Sequence, residues 1–193
     1  MQPRRADGAA PDLDEVLERC RANDRRALRE LYDRHFEPVR RTARRLGTPP
    51  SELDDVTQEV FSRVFGKLQR FAGGNFEAWL HRICANVVND QHRRRRVREG
   101  FRRLFGQRPE AVDASQDAEL GQREAEAAVR QILERMRPKQ REVLALFELE
   151  GLSGEEIAAR VGCPVATVWT RLHHARKDFV RIGSKRGLLE EAA

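Results

Sequence analysis

The stretch GLSGEEIAARVGCPVATVWTRL, residues 151–172, carries the local signals of two short helices joined by a tight turn. Ser153 and Glu156 have capping-box spacing, which favours the start of a helix. Gly162 suits the left-handed residue that ends this helix, and Pro164 suits the start of the next one. This pattern predicts a helix-turn-helix, a unit that places its second helix in the major groove of DNA.

The second helix of this unit has two chemically different faces. Its apolar stripe consists of Val165, Val168, Leu172, Ala175 and Phe179. The opposite face is small at its N-terminal end and basic toward its C-terminal end, which suits thymine methyl groups, base edges and phosphates. The alternative is a merely solvated helix face. The candidate DNA-binding residues on or beside this face are Ala166, Thr167, Thr170, Arg171, His173, His174 and Lys177.

The cysteines and histidines of the chain do not predict a metal site. Cys163 falls between the two helices, where such a unit needs a buried apolar residue, and a buried thiol acts as a small hydrophobe. His173 and His174 lie roughly opposite the apolar stripe, so they do not easily share an ion with Cys163. Cys20 and Cys84 are far away, and no CxxC spacing occurs. We expect neither a metal nor a cofactor.

A different polar surface is predicted upstream, on a helix that Ser51 can cap. The acidic residues of its first turn are favoured there by the helix dipole. Because acidic groups repel DNA, this face meets either a protein or only water, and the sequence leaves both possibilities open. The candidate protein-binding residues on this face are Asp54, Asp55, Gln58 and Glu59.

The next predicted helix runs from its N-cap Asn75 to the arginine run at 93–96 and also has two faces. Its core stripe consists of Phe76, Leu80, Ile83 and Val87. About a quarter turn away, an aromatic ring, arginines and asparagines can stack on bases, bond their edges and hold the backbone. This second face consists of Trp79, Arg82, Asn86, Asn89 and Arg93. Taken alone, however, Trp79 also fits a core position, and the arginine run a generic phosphate patch.

The pattern along the whole chain predicts an all-α fold of two small helical domains joined by a flexible linker. Residues 93–108 hold eight arginines against one glutamate, residues 109–126 are mostly acidic, and neither segment has a continuous apolar stripe. No β-strand signal competes. The expected parts are a disordered N-terminus (1–11), a first domain (12–96), a linker (97–120), a second domain with the helix-turn-helix (121–182) and a C-terminal tail (183–193).

Composition narrows the class of partner. The net charge is +6 and the pI about 9.9, and nearly all of the positive charge is arginine, whose planar fork suits phosphate and guanine edges. A polyanionic partner follows. The chain contains no run of about 18 apolar residues and its start lacks an apolar signal region. We therefore expect no membrane insertion and a cytoplasmic protein with reduced thiols.

Both helical blocks together resemble a sigma factor of bacterial RNA polymerase, of the extracytoplasmic-function (ECF) group. DDVTQEVFSRVFGKL (54–68) is similar to the polymerase-binding helix of that family, and FEAWLHRICANVVNDQHRRRR (76–96) to its −10-element segment. RPKQREVLALFELEGLSGEEIAARVGCPVATVWTRLHHARK (137–177) is similar to its −35-element domain. The resemblance covers about residues 25–96 and 125–180. Two departures are Met136–Arg137 in place of Leu–Pro, and Trp169 in place of a commonly polar residue.

The resemblance implies two domains, regions 2 and 4, with separate tasks. The acidic helix of region 2 would dock on a coiled coil of the polymerase β′ subunit, and region 4 would sit on the β flap and bind the −35 element. The RFAGGN loop and the Asn86 helix would capture unstacked bases of the −10 element. For that element the implied residues are Asn75, Trp79, Arg82, Asn86, Asn89, Arg93 and Arg94.

Other properties of the family also follow as expectations. Members are often held by an anti-sigma factor, and they associate with the nucleoid when bound to polymerase. They carry out no covalent chemistry, so we do not expect an enzyme. Separately from the family's properties, we hypothesise that the acidic run of the linker stands in for nascent RNA.

Two other classes of protein remain as alternatives. A dimeric helix-turn-helix regulator would bind duplex DNA without needing the acidic and aromatic faces of the first domain. A metal-dependent DNA enzyme would use Cys163, His173 and His174.

Overall fold

The computed structural model describes residues 12–104 and 117–188, and within these ranges it consists of helices, turns and loops, without a strand. The predicted all-α class is confirmed. Short 3-10 turns precede and follow the third helix. The helices are α1 (Leu13–Arg21), α2 (Arg25–Arg45), α3 (Leu53–Lys67), α4 (Phe76–Leu104), α5 (Asp117–Arg135), α6 (Pro138–Glu148), α7 (Gly154–Val161) and α8 (Val165–Lys185).

Helices α1 to α4 form a first unit around one apolar core. Asp24 caps α2 by accepting hydrogen bonds from the backbone amides of Arg26 and Ala27. Asn75 caps α4, as predicted, by accepting from the amide of Ala78 at 2.9 Å. The proposed cap Ser51 was wrong, because Ser51 lies in the 3-10 turn that leads into α3. The predicted core stripe of α4 is confirmed as buried, at Phe76, Leu80, Ile83 and Val87.

Helices α5 to α8 form a second unit, whose helix-turn-helix follows the sequence signals closely. The side chain of Ser153 accepts from the amide of Glu156 at 3.2 Å, and the Glu156 carboxylate accepts from the amide of Ser153 at 2.8 Å. The hydrogen bond that the Ser153 amide donates to the Glu156 carboxylate lowers the pKa of Glu156. Gly162 ends α7 with a φ of +69°, a conformation that suits glycine. The predicted helix-turn-helix is confirmed.

Helix boundaries near the predicted linker and tail differ from the sequence prediction. α4 continues to Leu104, beyond residue 97, and α8 continues to Lys185, beyond residue 182. The physical reason in α4 is that arginine is a good helix former even where no apolar stripe exists to be buried. The predictions for residues 1–11, 105–116 and 189–193 lie outside the described residues.

The two units pack against each other, with α7 against α4, which the sequence did not predict. Ala145 of α6 belongs to the apolar core of the first unit. Gly47 permits a close approach of α5: a Cβ there would lie 3.3 Å from Cε1 of His92 and 3.4 Å from Cβ of Leu133, and its φ is +96°. Within the described residues, no helix is long and apolar enough to cross a membrane.

Candidate nucleic-acid and protein interfaces

The outward face of α8 has the exposure that the sequence predicted. Its exposed members are Ala166, Thr170, His173, His174 and Lys177, whereas Thr167 and Arg171 are half-buried. The hydroxyl of Thr170 donates to the backbone carbonyl of Ala166 at 3.0 Å, and this bond leaves the methyl and an oxygen lone pair for DNA. The face therefore presents small groups first and basic groups later along the helix, and its role in DNA binding stays a prediction.

The predicted packing of Cys163 in the core between the two helices is confirmed, although the side chain is only half-buried. Its side chain packs against the core of the second unit, but its sulfur also lies 3.4 Å from Nη1 of Arg171. The thiol of Cys163 is therefore in contact with the polar guanidinium of Arg171 as well as with the apolar core. In the part of the chain that the structure describes, no group of three or more His, Cys, Asp or Glu side chains could hold a metal ion.

Trp169 lies on the same helix and is 46% exposed, and no role was predicted for it. Its ring packs edge-on against Phe147, with centroids 5.7 Å apart. It also covers Gly154 at the start of α7, where a Cβ would come within 2.7 Å of Cζ2 of the indole. The small residue at position 154 therefore makes room for the large ring at position 169, which lies on the same helix as the predicted DNA-binding residues.

The second face of α4 is only partly free. Trp79 is half-buried and stacks into the core beside Phe71 and Phe76, with ring centroids 5.1 and 5.6 Å away. Its side chain thus fills the core position that the sequence left as an alternative. Asn89 is half-buried and its amide oxygen accepts a hydrogen bond from Arg141 of the second unit. The exposed candidates on and around this face are Asn75, Arg82, Asn86, Arg93 and Arg94.

Arg141 is a buried, hydrogen-bonded arginine that was not predicted from the sequence. It is 2% exposed, and it donates to Nδ1 of His92 at 2.5 Å and to the carbonyl of Leu133 at 3.1 Å, in addition to Asn89. Burial and the charge of Arg96 lower its pKa to about 10. The available signal was its position among the buried apolar residues of α6, where an arginine needs a polar partner.

The acidic face of α3 points to solvent, as predicted. Asp54, Asp55 and Gln58 are exposed and Glu59 is half-buried. Arg40 lies 3.2 Å from the Asp54 carboxylate, and Arg63 lies 2.8 Å from that of Glu59. The remaining charge is free to meet a partner, whereas the apolar side of the same helix is buried in the core.

Comparison with known proteins identifies the family. The Sigma-70 region 2 model matches residues 31–98, and the Sigma-70, region 4 model matches residues 126–179. The RNA polymerase sigma factor NccH of Alcaligenes xylosoxydans xylosoxydans is 32% identical over 89% of this chain and 95% of its own length. The chain belongs to the ECF sigma factors. As a sigma factor it directs transcription initiation by RNA polymerase at promoters, and a dimeric repressor is not favoured.

Further relatives agree with this assignment. The ECF sigma factor SigE of Mycolicibacterium smegmatis is 37% identical over 78% of this sigma factor, which spans 59% of the length of SigE. The solved structure of CnrH in complex with the cytosolic domain of CnrY is 26% identical, with a TM-score of 0.60 over 89% of this chain and 96% of that one. RpoE of Bartonella quintana, solved with the anti-sigma factor NepR, is 25% identical, with a TM-score of 0.54 over 80% and 94%.

Proposed function

We propose that separate surfaces of the two units of this sigma factor bind the −35 element, the −10 element and RNA polymerase. The outward face of α8 binds the −35 element in the major groove. Asn86 and the loop from Arg70 to Asn75 capture bases of the −10 element. The acidic face of α3 binds the polymerase β′ subunit, and the factor itself carries out no covalent chemistry.

The observation that supports this division is that each exposed polar face lies on a helix whose opposite side is buried in the core. Asn86 is exposed on α4, whose opposite side is fixed in the core by Ile83 and Val87. Gly73 and Gly74 lie in the loop that leads into α4, exposed and with positive φ angles, and so bring backbone rather than side chains to the surface. A base that leaves the duplex can therefore approach the loop closely.

An exposed apolar groove on the second unit fits a protein partner. It has a volume of about 490 Å³ and lies between α5, α6 and α8, with Val129, Leu149 and Val180 exposed at its surface. Exposed apolar patches with a polar rim mark protein interaction sites. We propose the polymerase β flap as its occupant, which would hold region 4 above the −35 element.

Regulation by a protein inhibitor is also proposed. CnrH was solved with the cytosolic domain of CnrY, and RpoE with the anti-sigma factor NepR. Since this chain shares their fold over most of its length, we infer that an anti-sigma factor binds it as well. The active factor would then work in the cytoplasm, at the nucleoid when bound to polymerase.

The polymerase-binding assignment is tested by replacing Asp55, Gln58 and Glu59 together with alanine. We expect at least tenfold weaker binding to core polymerase with unchanged helix content, because exposed substitutions change stability by less than about 0.5 kcal/mol. The measurement is a binding titration of labelled factor with core enzyme. A matched control replaces Asp14, Glu15 and Glu37, which are exposed on α1 and α2. Unchanged affinity of the first variant would refute the assignment.

A further inference from the structure

Helix α1 has no part in the functions proposed above, and it lies outside residues 31–98, which the Sigma-70 region 2 model matches. Its inner side packs in the core of the first unit. Its last residue, Arg21, also makes contacts with residues 48 and 50 positions further along the chain. These contacts lie directly before residues 72–75, the exposed part of the loop that is proposed to capture bases of the −10 element.

Two reciprocal hydrogen bonds join the end of α1 to the start of this loop. Nη2 of Arg21 donates to the backbone carbonyl of Phe71 at 2.7 Å, and Nε2 of Gln69 donates to the backbone carbonyl of Arg21 at 2.6 Å. The first bond has a charged donor and belongs to the stronger class of hydrogen bonds. The second bond satisfies one of the carbonyls that the end of a helix leaves without a partner inside the helix. Arg21, Gln69 and Phe71 are named here the α1 brace.

The side chain of Phe71 is fixed as well as its backbone. Its ring is buried, and Cζ of Arg21 lies 5.9 Å from the ring centroid, within the range of a cation–π interaction. The same ring packs against Phe76 and Trp79 of α4, with centroids 5.6 and 5.1 Å away. Phe71 is therefore held by α1 and by α4 at the point where the loop begins.

The exposed part of the loop depends on its two ends for its position. A Cβ built on Gly73 or on Gly74 would meet no atom within 4 Å, so open space surrounds these positions. At the downstream end, Asn75 caps α4, the helix that carries Asn86. At the upstream end, the loop starts at Phe71, which the α1 brace holds. The placement of the loop relative to Asn86 therefore depends on the brace.

We propose that Arg21 is a positioning residue for recognition of the −10 element, and that the α1 brace holds residues 72–75 where they and Asn86 contact the same unpaired DNA segment. Arg21 acts through the carbonyl and the ring of Phe71 and does not itself contact a base. A loop that is ordered before binding loses less conformational freedom when it binds, which favours capture of a base. The inference rests on the proposed assignment of this loop to the −10 element.

The test replaces Arg21 by methionine, which keeps an unbranched stem and removes the donors and the charge. The assay is initiation by reconstituted polymerase on promoters randomised within the −10 and −35 elements. We expect Arg21→Met to lose at least about fivefold in preference at one base of the −10 element, the lower end of what one base contact contributes. Preference within the −35 element and affinity for core polymerase should not change.

A matched control removes another arginine from the same helix. Arg19 pairs with Asp24 and Glu30, and not with the loop. We expect Arg19→Met to keep the preference of the wild type within the −10 element. Since both variants lose one positive charge from α1, a difference between them reports the contact with the loop rather than the charge.

A second readout separates positioning from a general effect on stability. Gly74 has a φ of +92°, which a β-branched residue rarely adopts, although its Cβ would meet open space. Gly74→Val should therefore change the conformation of the loop without a clash, and it should itself lose −10 preference. In that background Arg21→Met should add little further loss, because both substitutions act on the same loop. A residue that only stabilised the fold would lower the preference by the same factor in both backgrounds.

The outcome stays decisive if one variant does not fold. Should circular dichroism show that Arg21→Met loses helix content, Gln69→Met, which changes an exposed residue of the brace, decides by the same criteria. The brace is overturned if the deciding variant keeps the −10 preference, if Arg19→Met loses as much, or if −35 preference falls equally. It is also overturned if the losses from the deciding variant and Gly74→Val multiply in full.

Failure of the brace and failure of the proposed function are distinguishable, because Gly74→Val changes the loop and leaves the brace intact. A loss of −10 preference in Gly74→Val without a loss in Arg21→Met would overturn the brace and leave the proposed function in place. No loss in Gly74→Val would overturn the assignment of the loop to the −10 element, and the brace with it.

Discussion

Replacing Asn86 by alanine should impair use of the −10 element without harming the fold. Asn86 is exposed on α4, three residues before Asn89, which is held by Arg141. An exposed substitution of this kind changes stability by less than about 0.5 kcal/mol. A good base contact contributes about 1–3 kcal/mol of discrimination. We therefore expect a loss of roughly 5- to 150-fold in preference at a single base of the −10 element.

The assay is initiation by reconstituted polymerase on promoters randomised within the −10 and −35 elements, with each single variant. Thr170→Ala and Arg171→Ala serve as reciprocal controls, because both residues lie on or beside the outward face of α8. They should change preference within the −35 element only. The Asn86→Ala defect should also diminish on templates that are already unpaired at the −10 element, since duplex opening is part of what the base contact offsets.

Two results would refute this reasoning. An Asn86→Ala variant that changes −35 preference would mean that the two faces do not act on separate elements. Thr170→Ala or Arg171→Ala variants that alter −10 preference as strongly as −35 preference would mean the same.

Three further predictions concern stability. Cys163→Ser should cost at most about 1 kcal/mol in urea unfolding, because Arg171 can donate to the new hydroxyl; stoichiometric zinc in the wild type would contradict this view of the site. Gly154→Ala should destabilise the wild type by about 1 kcal/mol, because the added methyl group overpacks against the Trp169 ring, but it should not destabilise a Trp169→Ala variant. Equal destabilisation in both backgrounds of this double-mutant cycle would argue against the contact between Gly154 and Trp169. Below pH 6.5 the unfolded chain binds a proton at His92, whereas the folded chain does not. The free energy of unfolding should therefore decrease by about 1.4 kcal/mol for each pH unit by which the pH is lowered, and His92→Gln should remove that part of the slope.

The helix-turn-helix could be predicted because its signals act locally. The capping box joins residues 153 and 156, and the left-handed turn needs only Gly162, so no distant contact enters either decision. The exposed faces of α3 and α8 followed from periodicity for the same reason. These elements were therefore predictable from short windows of sequence, as was the fold class.

The interface between the units could not be predicted in this way. Arg141 and Asn89 are 52 positions apart, and nothing near either residue in the sequence indicates the other. Asn89 matched the spacing of a DNA-binding face equally well. The end of α4 was missed for a different physical reason: the arginine run continues the helix through backbone propensity alone, without the apolar stripe on which periodicity depends.

Three arginines of the first unit, Arg44, Arg45 and Arg95, pair with Glu126, Glu150 and Glu134 of the second unit, and these pairs affect competition with the genome. Each arginine that contacts a phosphate contributes about 0.9 to the slope of log affinity against log salt, and non-specific sites on a chromosome number in the millions. A chain whose arginines already face carboxylates attracts fewer phosphates and stays in free solution.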